Sequence, residues 1–316
     1  MVPVIRLANV TRKFGGKLAL NDVSFDIPSG CVFALLGENG AGKTTAIRNI
    51  LGLDRPNFGQ LSVLGLEPSR FGIELRKLIG YVPDSPALYE WMTIDEIGWF
   101  TAGFYPQGFQ DQFHRLCASF DLDMNQKIKS LSKGGKAKVG LALAMAPAPE
   151  ILIMDEPTSG LDTIVRRKFL ESMVDVAATG RTVLLSSHQI TEVERVADHV
   201  AIIHQGQVLV QDTLEDLKQR FETWVISMES DTETLPGFSG RILTHDGRNS
   251  RRQKMMILDP DPNALWQLRD SSHVVDVEVH PPSLEDIFIA AIEHGKPLND
   301  VRSDSSQSAP IRQGDA

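Results

Sequence analysis

The stretch "CVFALLGENGAGKTTAIRNI", residues 31–50, limits the possible folds more than any other part of the chain. "CVFALLG" carries no charge and predicts a buried strand. It runs without a linker into a glycine-rich turn, and the turn runs into a helical pattern. In "GENGAGKTT", residues 37–45, Gly37, Gly40 and Gly42 let the backbone curl until its N–H groups converge on one point. An anion at that point completes their hydrogen bonds, and the helix that follows turns its positive end toward the same place. The spacing fits G-x-x-x-x-G-K-[ST], a phosphate-binding turn. Asn39 lies in the turn, Lys43 reaches the β- and γ-phosphates of a nucleotide, and the Thr44 hydroxyl, with Thr45 beside it, is placed to ligate Mg2+.

The remainder of the first 220 residues alternates strands and amphipathic helices. "VIRLANVTRKF" and "ALNDVSFDIPSG" predict antiparallel strands near the start. "ILIMDEP" and "TVLLSSH" predict two more buried strands, each followed by a helical stretch. Residues from about 85 to 147 are mainly helical in pattern, with "TIDEIGWFTAGFY" and "QDQFHRLCASFDL" as amphipathic segments. They predict a helical subdomain inserted into the sheet domain. From Phe221 the pattern changes to short strands ("WVISME", "RILTHDG", "QKMMILD", "HVVDVEVH") and two helices ("NALWQLRD", "SLEDIFIAAIEHG"). The second helix opens on a capping box from Ser283 to Asp286 and ends at Gly295. A small α+β accessory domain is therefore expected over residues 221–295, and a disordered polar tail over 296–316.

Composition narrows the function classes. The net charge of −9 argues against broad nucleic-acid binding driven by phosphate neutralisation. No apolar run approaches the roughly 18 residues that cross a bilayer, and the start "MVPVIRLANVTRKFGG" lacks the apolar region of a signal peptide. Any membrane role is thus expected to be peripheral and to act through a partner. Cys31 and Cys117 lack metal-ligand spacing and are expected to be reduced, buried thiols in the cytoplasm.

"ILIMDEP" supplies acids to the phosphate turn. A strand ending in Asp155 presents a carboxylate able to hold Mg2+ through water. Glu156, one residue on, can orient an attacking water and accept its proton. The expected fold is α/β: a P-loop NTPase sheet core, an N-terminal antiparallel β-subdomain, an inserted helical subdomain and a small C-terminal α+β appendage.

In the order "GENGAGKTT", "LSKGG", "ILIMDEPTSGLD", "LLSSH", residues 3 to 220 resemble the ATP-binding subunit of an ATP-binding cassette (ABC) transporter. The resemblance implies ATP and Mg2+ as ligands. It also implies a second ATP-binding subunit, alike or different, docked head to tail, and an integral membrane permease as partner at the inner face of the cell membrane. Ser132 and Gly134 of "LSKGG" would touch the γ-phosphate of the nucleotide held by the second subunit. Phe14 matches the aromatic residue stacked on adenine, Asp162 the loop that couples the two sites, and His188 the histidine that contacts the γ-phosphate. "LSKG" and "SLEDIFIAAI" resemble the ABC-2 type, which serves export.

Two positions depart from the usual pattern. Lys133 stands where glycine is usual; its side chain can point away from phosphate while its N–H stays available. Asp84, in "IGYVPDSP", stands where the family has glutamine, and an ionised carboxylate only accepts hydrogen bonds. Asp84 is expected either to bind Mg2+ through water or to turn outward toward the coupling surface. Trp91, Met92 and Trp99 are candidates to line the groove for the permease. Two other functions compete with transport: a soluble cassette ATPase, and a nucleotide-dependent regulator with little turnover. With one phosphate turn and only about 90 residues between Lys43 and Lys133, the chain has no room for a long coiled-coil insert.

Overall fold

The structure of the chain, a computed structural model, describes residues 2–105, 107–158, 161–230, 240–248 and 250–298. Strands β1 (Ile5–Phe14), β2 (Lys17–Ile27) and β4 (Phe58–Val63) form an antiparallel sheet in the order β2-β1-β4. Ile5 is paired with Ile27 on one side and Val63 on the other, all three fully buried. This sheet covers helix α1 (Lys43–Ile50), whose Ala46, Ile47 and Ile50 enter the same core.

The central sheet has six strands. They are β5 (Ile79–Val82), β6 (Ile151–Asp155), β7 (Thr182–Ser187), β3 (Val32–Leu36), β8 (His199–His204) and β9 (Gln207–Thr213), in that spatial order. All pairs are parallel except β8 with β9. Strands β3, β6 and β7 are buried at every residue because both faces are covered, which is why they read as continuous apolar runs. Phe33, Leu35, Ile153 and Leu184 face α1 and the antiparallel sheet. Val32, Ala34, Leu36, Leu152, Met154, Val183 and Leu185 face the other way, toward α5 (Lys133–Met145) and α6 (Thr163–Ala178).

Helix α2 (Pro68–Arg76) leads into β5. Helices α3 (Ile94–Ala102), α4 (Phe109–Ser119) and α5 pack around Ile94, Ile97, Phe113, Cys117 and Val139. The close approach of α3 and α4 needs Gly98: a Cβ there would meet the Phe113 ring at 2.4 Å. Cys31 and Cys117 are free and buried. Burial first, and nearby carboxylates second, push the Cys31 thiol up to about 11 and the Cys117 thiol up to about 12.

Helix α7 (Ile190–Val193) precedes β8 and contacts α10 (Leu284–His294); past β9, α8 (Leu214–Arg220) leads into a third sheet. It contains β10 (Phe221–Met228), β11 (Arg241–Asp246), β12 (Arg252–Leu258) and β13 (Val274–His280), antiparallel in the order β11-β12-β10-β13. Helix α9 (Pro262–Arg269) covers one face, burying Leu268 with Trp224 and Ile226. The other face does not close on itself. Phe221, Met256 and Leu258 join Leu284, Ile287, Ala290 and Ala291 of α10 (Leu284–His294) in the core formed by Val32, Ile202 and Leu209. The sheet after Phe221 thus shares a core with the first 220 residues. The tail expectation fails at its start: Leu298 is fully buried, and its N–H donates to the Leu209 carbonyl at 2.6 Å. The remainder of that expectation, from 299 onward, lies outside the described residues.

Strands β4, β5, β8 and β9 are not among those expected from the sequence. The last two form a hairpin whose turn residues, Gln205 and Gly206, have φ of 47° and 78°. The legible signal was an X-Gly pair between two apolar runs.

Candidate nucleotide site

The phosphate turn leaves β3 at the carboxyl edge of the parallel strands, where ligands of open α/β sheets bind. Gly40 and Gly42 have φ of 83° and 115°, in the left-handed region that a side chain disfavours. Close approach adds to this: a Cβ on Gly37 would lie 2.4 Å from the Ile203 carbonyl oxygen, and one on Gly42 would lie 2.7 Å from that of Ala19. The turn is wedged between β2 and β8, whose backbones fix its curl.

Lys43 is only 5% exposed. Its Nζ donates to the Gly37 carbonyl at 2.6 Å and lies 2.9 Å from Glu156 Oε1. A buried ammonium held by the Gly37 and Glu38 carbonyls and one carboxylate is ready to be handed to a stronger anion. It opens on a recess of about 300 Å³ also lined by Phe14, Lys17, Asn39, Thr44, Thr45 and Glu156.

The acids arrive from β6. Asp155, its last residue, is 3% exposed and accepts a hydrogen bond from Ser186 Oγ at 2.5 Å. Burial and then the Asp155 charge push the phenol of Tyr81 up to about 12, with Asp84 contributing. At Glu156 the backbone leaves the strand with φ of 51°, a strained value for a residue with a side chain. Its N–H donates to the Ser186 carbonyl at 3.1 Å. Its Oε2 accepts from the His188 N–H at 3.3 Å and lies 2.7 Å from His188 Nδ1. Lys43, Glu156 and His188, widely separated in sequence, thus meet around one carboxylate. Phe14, 45% exposed, borders the recess, with the Arg12 guanidinium carbon 4.3 Å from its ring centroid.

Other expected residues lie apart. Ser132 caps α5, its Oγ accepting from the Gly135 N–H at 3.1 Å, and Gly134 is buried in the first turn. Asp162 precedes α6, its Oδ1 accepting from the Val165 N–H at 2.9 Å. Lys133 and Asp84 line a second recess of about 350 Å³, with Lys136, Pro157 and Leu161. The two recesses share no lining residue. Asp84 is exposed and lines this second recess, not the one that contains Thr44. The lysines of the second recess are the counter-charge available to it.

Among the described residues no three His, Cys, Asp or Glu side chains converge as a metal cage. Mg2+ at NTP sites rests on one or two protein oxygens, phosphates and water, so the Thr44 hydroxyl and the Asp155 carboxylate are a donor set that fits it.

Arg166 was not singled out in the sequence. Its Nη2 donates to the Leu161 carbonyl at 2.9 Å, just before Asp162, and its Nη1 to Glu192 Oε1 at 2.5 Å, just after His188. In the helical block the expectation for Met92 is corrected: it is 7% exposed and belongs to the core of that block. Trp91 and Trp99 are exposed, and ring contacts join Trp91 through Tyr89 and Phe100 to Phe104 in an aromatic patch. No described helix is long and apolar enough to cross a membrane.

The ABC transporter family model matches residues 20–159. The Nod factor export ATP-binding protein I of Rhizobium johnstonii is 32% identical over 302 residues, which cover 90% of this chain and 93% of that protein. A solved ATP-binding subunit of an ABC transporter is 32% identical, superposes with a TM-score of 0.64, and covers 68% of this chain and 92% of its own. A dimeric ATP-binding cassette in a post-hydrolysis state, bound to ADP and phosphate, is 25% identical, with a TM-score of 0.59 over 66% of this chain and 98% of its own. The chain belongs to the ATP-binding subunits of ABC transporters and is an ATPase of that family.

Proposed function

We propose that the chain binds MgATP in the recess around Lys43, pairs head to tail with a second ATP-binding subunit, and drives an integral membrane permease at the inner face of the cell membrane. The separation of the two recesses supports this reading most directly. Lys43, Thr44, Thr45 and Glu156 line one, while Lys133, beside Ser132 and Gly134, lines another. A signature turn that cannot serve its own phosphate turn calls for a partner whose turn can. The dimeric relative with ADP and phosphate supports the same arrangement.

In this mechanism the phosphate chain takes Lys43 from Glu156, and the N–H groups of the turn take the oxygens. The Thr44 hydroxyl and the Asp155 carboxylate would hold Mg2+, which would supply positive charge to offset that of the phosphate chain. Glu156, released from Lys43, orients a water and accepts its proton as the water attacks the γ-phosphorus; ADP and phosphate leave. His188 holds the carboxylate from behind and reaches the γ-phosphate when the dimer closes. Asp162, steadied through Arg166 and Leu161, lies at the junction between the two subunits. The exposed aromatic patch from Tyr89 to Phe104 is the dock for the permease, since apolar area of this kind marks an interaction site. The export relative favours outward transport.

Multiple-turnover hydrolysis of wild type and Glu156→Gln tests the catalytic part. The variant is expected to lose about 100-fold or more in turnover while keeping ATP binding, the size of effect set by a general base. Equal phosphate release from both proteins would refute the role of Glu156 and favour the low-turnover regulator.

A further inference from the structure

We propose that Arg12 is the rear support of the base platform, its guanidinium holding the Phe14 ring in place and drawing charge from it so that the free face stacks more strongly on adenine. The proposal rests on the reading of Phe14 as the residue that stacks on the base.

Arg12 and Phe14 are two residues apart on β1, a spacing that puts side chains on one face of a strand. The guanidinium carbon lies 4.3 Å from the ring centroid, within the range of a cation–π contact. Phe14 lines the recess that contains Lys43 and Thr44 whereas Arg12 does not, and the proposal places the cation on the side of the ring away from the nucleotide space. A phenyl face is negatively charged, and a cation behind it lowers that charge on the far face, which favours an electron-rich purine.

The arginine cannot easily swing away. Its side chain is 21% exposed, and its Nη2 lies 3.6 Å from Asp54 Oδ1, a carboxylate only 14% exposed. The other oxygen of Asp54 is held by Arg48 Nε at 2.6 Å, and Arg48 lies in the last turn of α1. The Asp54 N–H donates to the Arg48 carbonyl as well, at 3.2 Å. Arg12 Nε is buried without a hydrogen-bond acceptor among the described residues. The Phe14 ring and Asp54 are therefore what offsets the desolvation of this cation. The helix whose first residue is Lys43 carries at its other end the tether for the base platform, so one helix sets the spacing between phosphate and base.

The test is calorimetric titration of the full chain with MgATP and, separately, with inorganic tripolyphosphate, which has no base. Arg12→Met is expected to weaken ATP binding about 3- to 10-fold, to leave tripolyphosphate within about twofold, and to be partly rescued in Arg12→Lys. In a Phe14→Ala background, Arg12→Met is expected to cost nothing further. Tripolyphosphate weakened as much as ATP would overturn the proposal, because the cation would then act on phosphate or on folding. An undiminished effect in the Phe14→Ala background would overturn it too. If Phe14→Ala weakens ATP and Arg12→Met does not, only the role of Arg12 is lost. If Phe14→Ala leaves ATP binding unchanged, the stacking reading and this proposal fall together.

Discussion

Asp84 stands where the family pattern has glutamine, and its neighbours decide what a carboxylate there can do. It occupies the segment just after β5 but opens into the recess with Lys133 and Lys136 rather than the one with Lys43. Asp84→Asn is therefore expected to leave MgATP affinity within about twofold, the usual size for an exposed substitution, and to change transport-coupled hydrolysis in the presence of the permease. A large, equal loss of nucleotide binding in the variant would contradict this placement. Lys43, Thr44, Asp155 and Glu156 were legible in the sequence because each sits in a short local motif whose chemistry needs that spacing. Their meeting was less so: the 2.9 Å contact between Lys43 and Glu156 depends on how β3 and β6 are ordered in the sheet, which no local pattern records. Arg12 and Arg166 were not legible at all. A charged residue on a strand or helix looks like any solvated side chain until the fold brings a ring or a carbonyl to it.

At the scale of elements, caps and buried runs carried the legible part. The capping box at α10 is present as expected, with Ser283 Oγ accepting from the Asp286 N–H at 3.1 Å and the Asp286 carboxylate accepting in return from the Ser283 N–H at 3.2 Å. Asp286 also lies 3.5 Å from Lys254 Nζ on β12, so the cap fastens the helix to the third sheet. Ser283→Ala is expected to lower stability by about 1 kcal/mol, the usual cost of losing a serine cap, measured by urea denaturation; no shift in the midpoint would show that α10 is held by packing alone. The strands that escaped notice had weaker signals. β5 has four residues, and the hairpin of β8 and β9 turns on Gln205 rather than the more usual Asn or Asp. Met92 misled for the opposite reason: next to an exposed tryptophan in sequence, it points into the core of the helical block.

For the whole molecule, the exposed rings of the helical block are the feature that a monomer does not explain. Trp91 and Trp99 are 66% and 68% exposed in a chain with a net charge of −9. Replacing both with serine is expected to abolish co-purification of a polytopic membrane protein from detergent extracts while ATP affinity stays unchanged; retention of that protein would move the dock elsewhere. The boundary at Phe221 is the least legible feature at this scale. Composition changes there, yet the apolar face of α10 continues the core of the cassette instead of starting its own.

That shared core has a consequence during synthesis. Strands β8 and β9 lie beneath α10 and Leu298, which emerge only after some 85 further residues. At about 5–20 residues per second, that interval lasts roughly 4–17 s. Throughout it the nascent cassette, its phosphate turn already made, carries Ile202 and Leu209 without the Leu284, Ile287, Ala290 and Ala291 side chains that complete their core. A ribosome that stalls in this window releases a chain able to recruit chaperones and proteases, so α10 is a folding requirement of the ATPase and not an ornament on it.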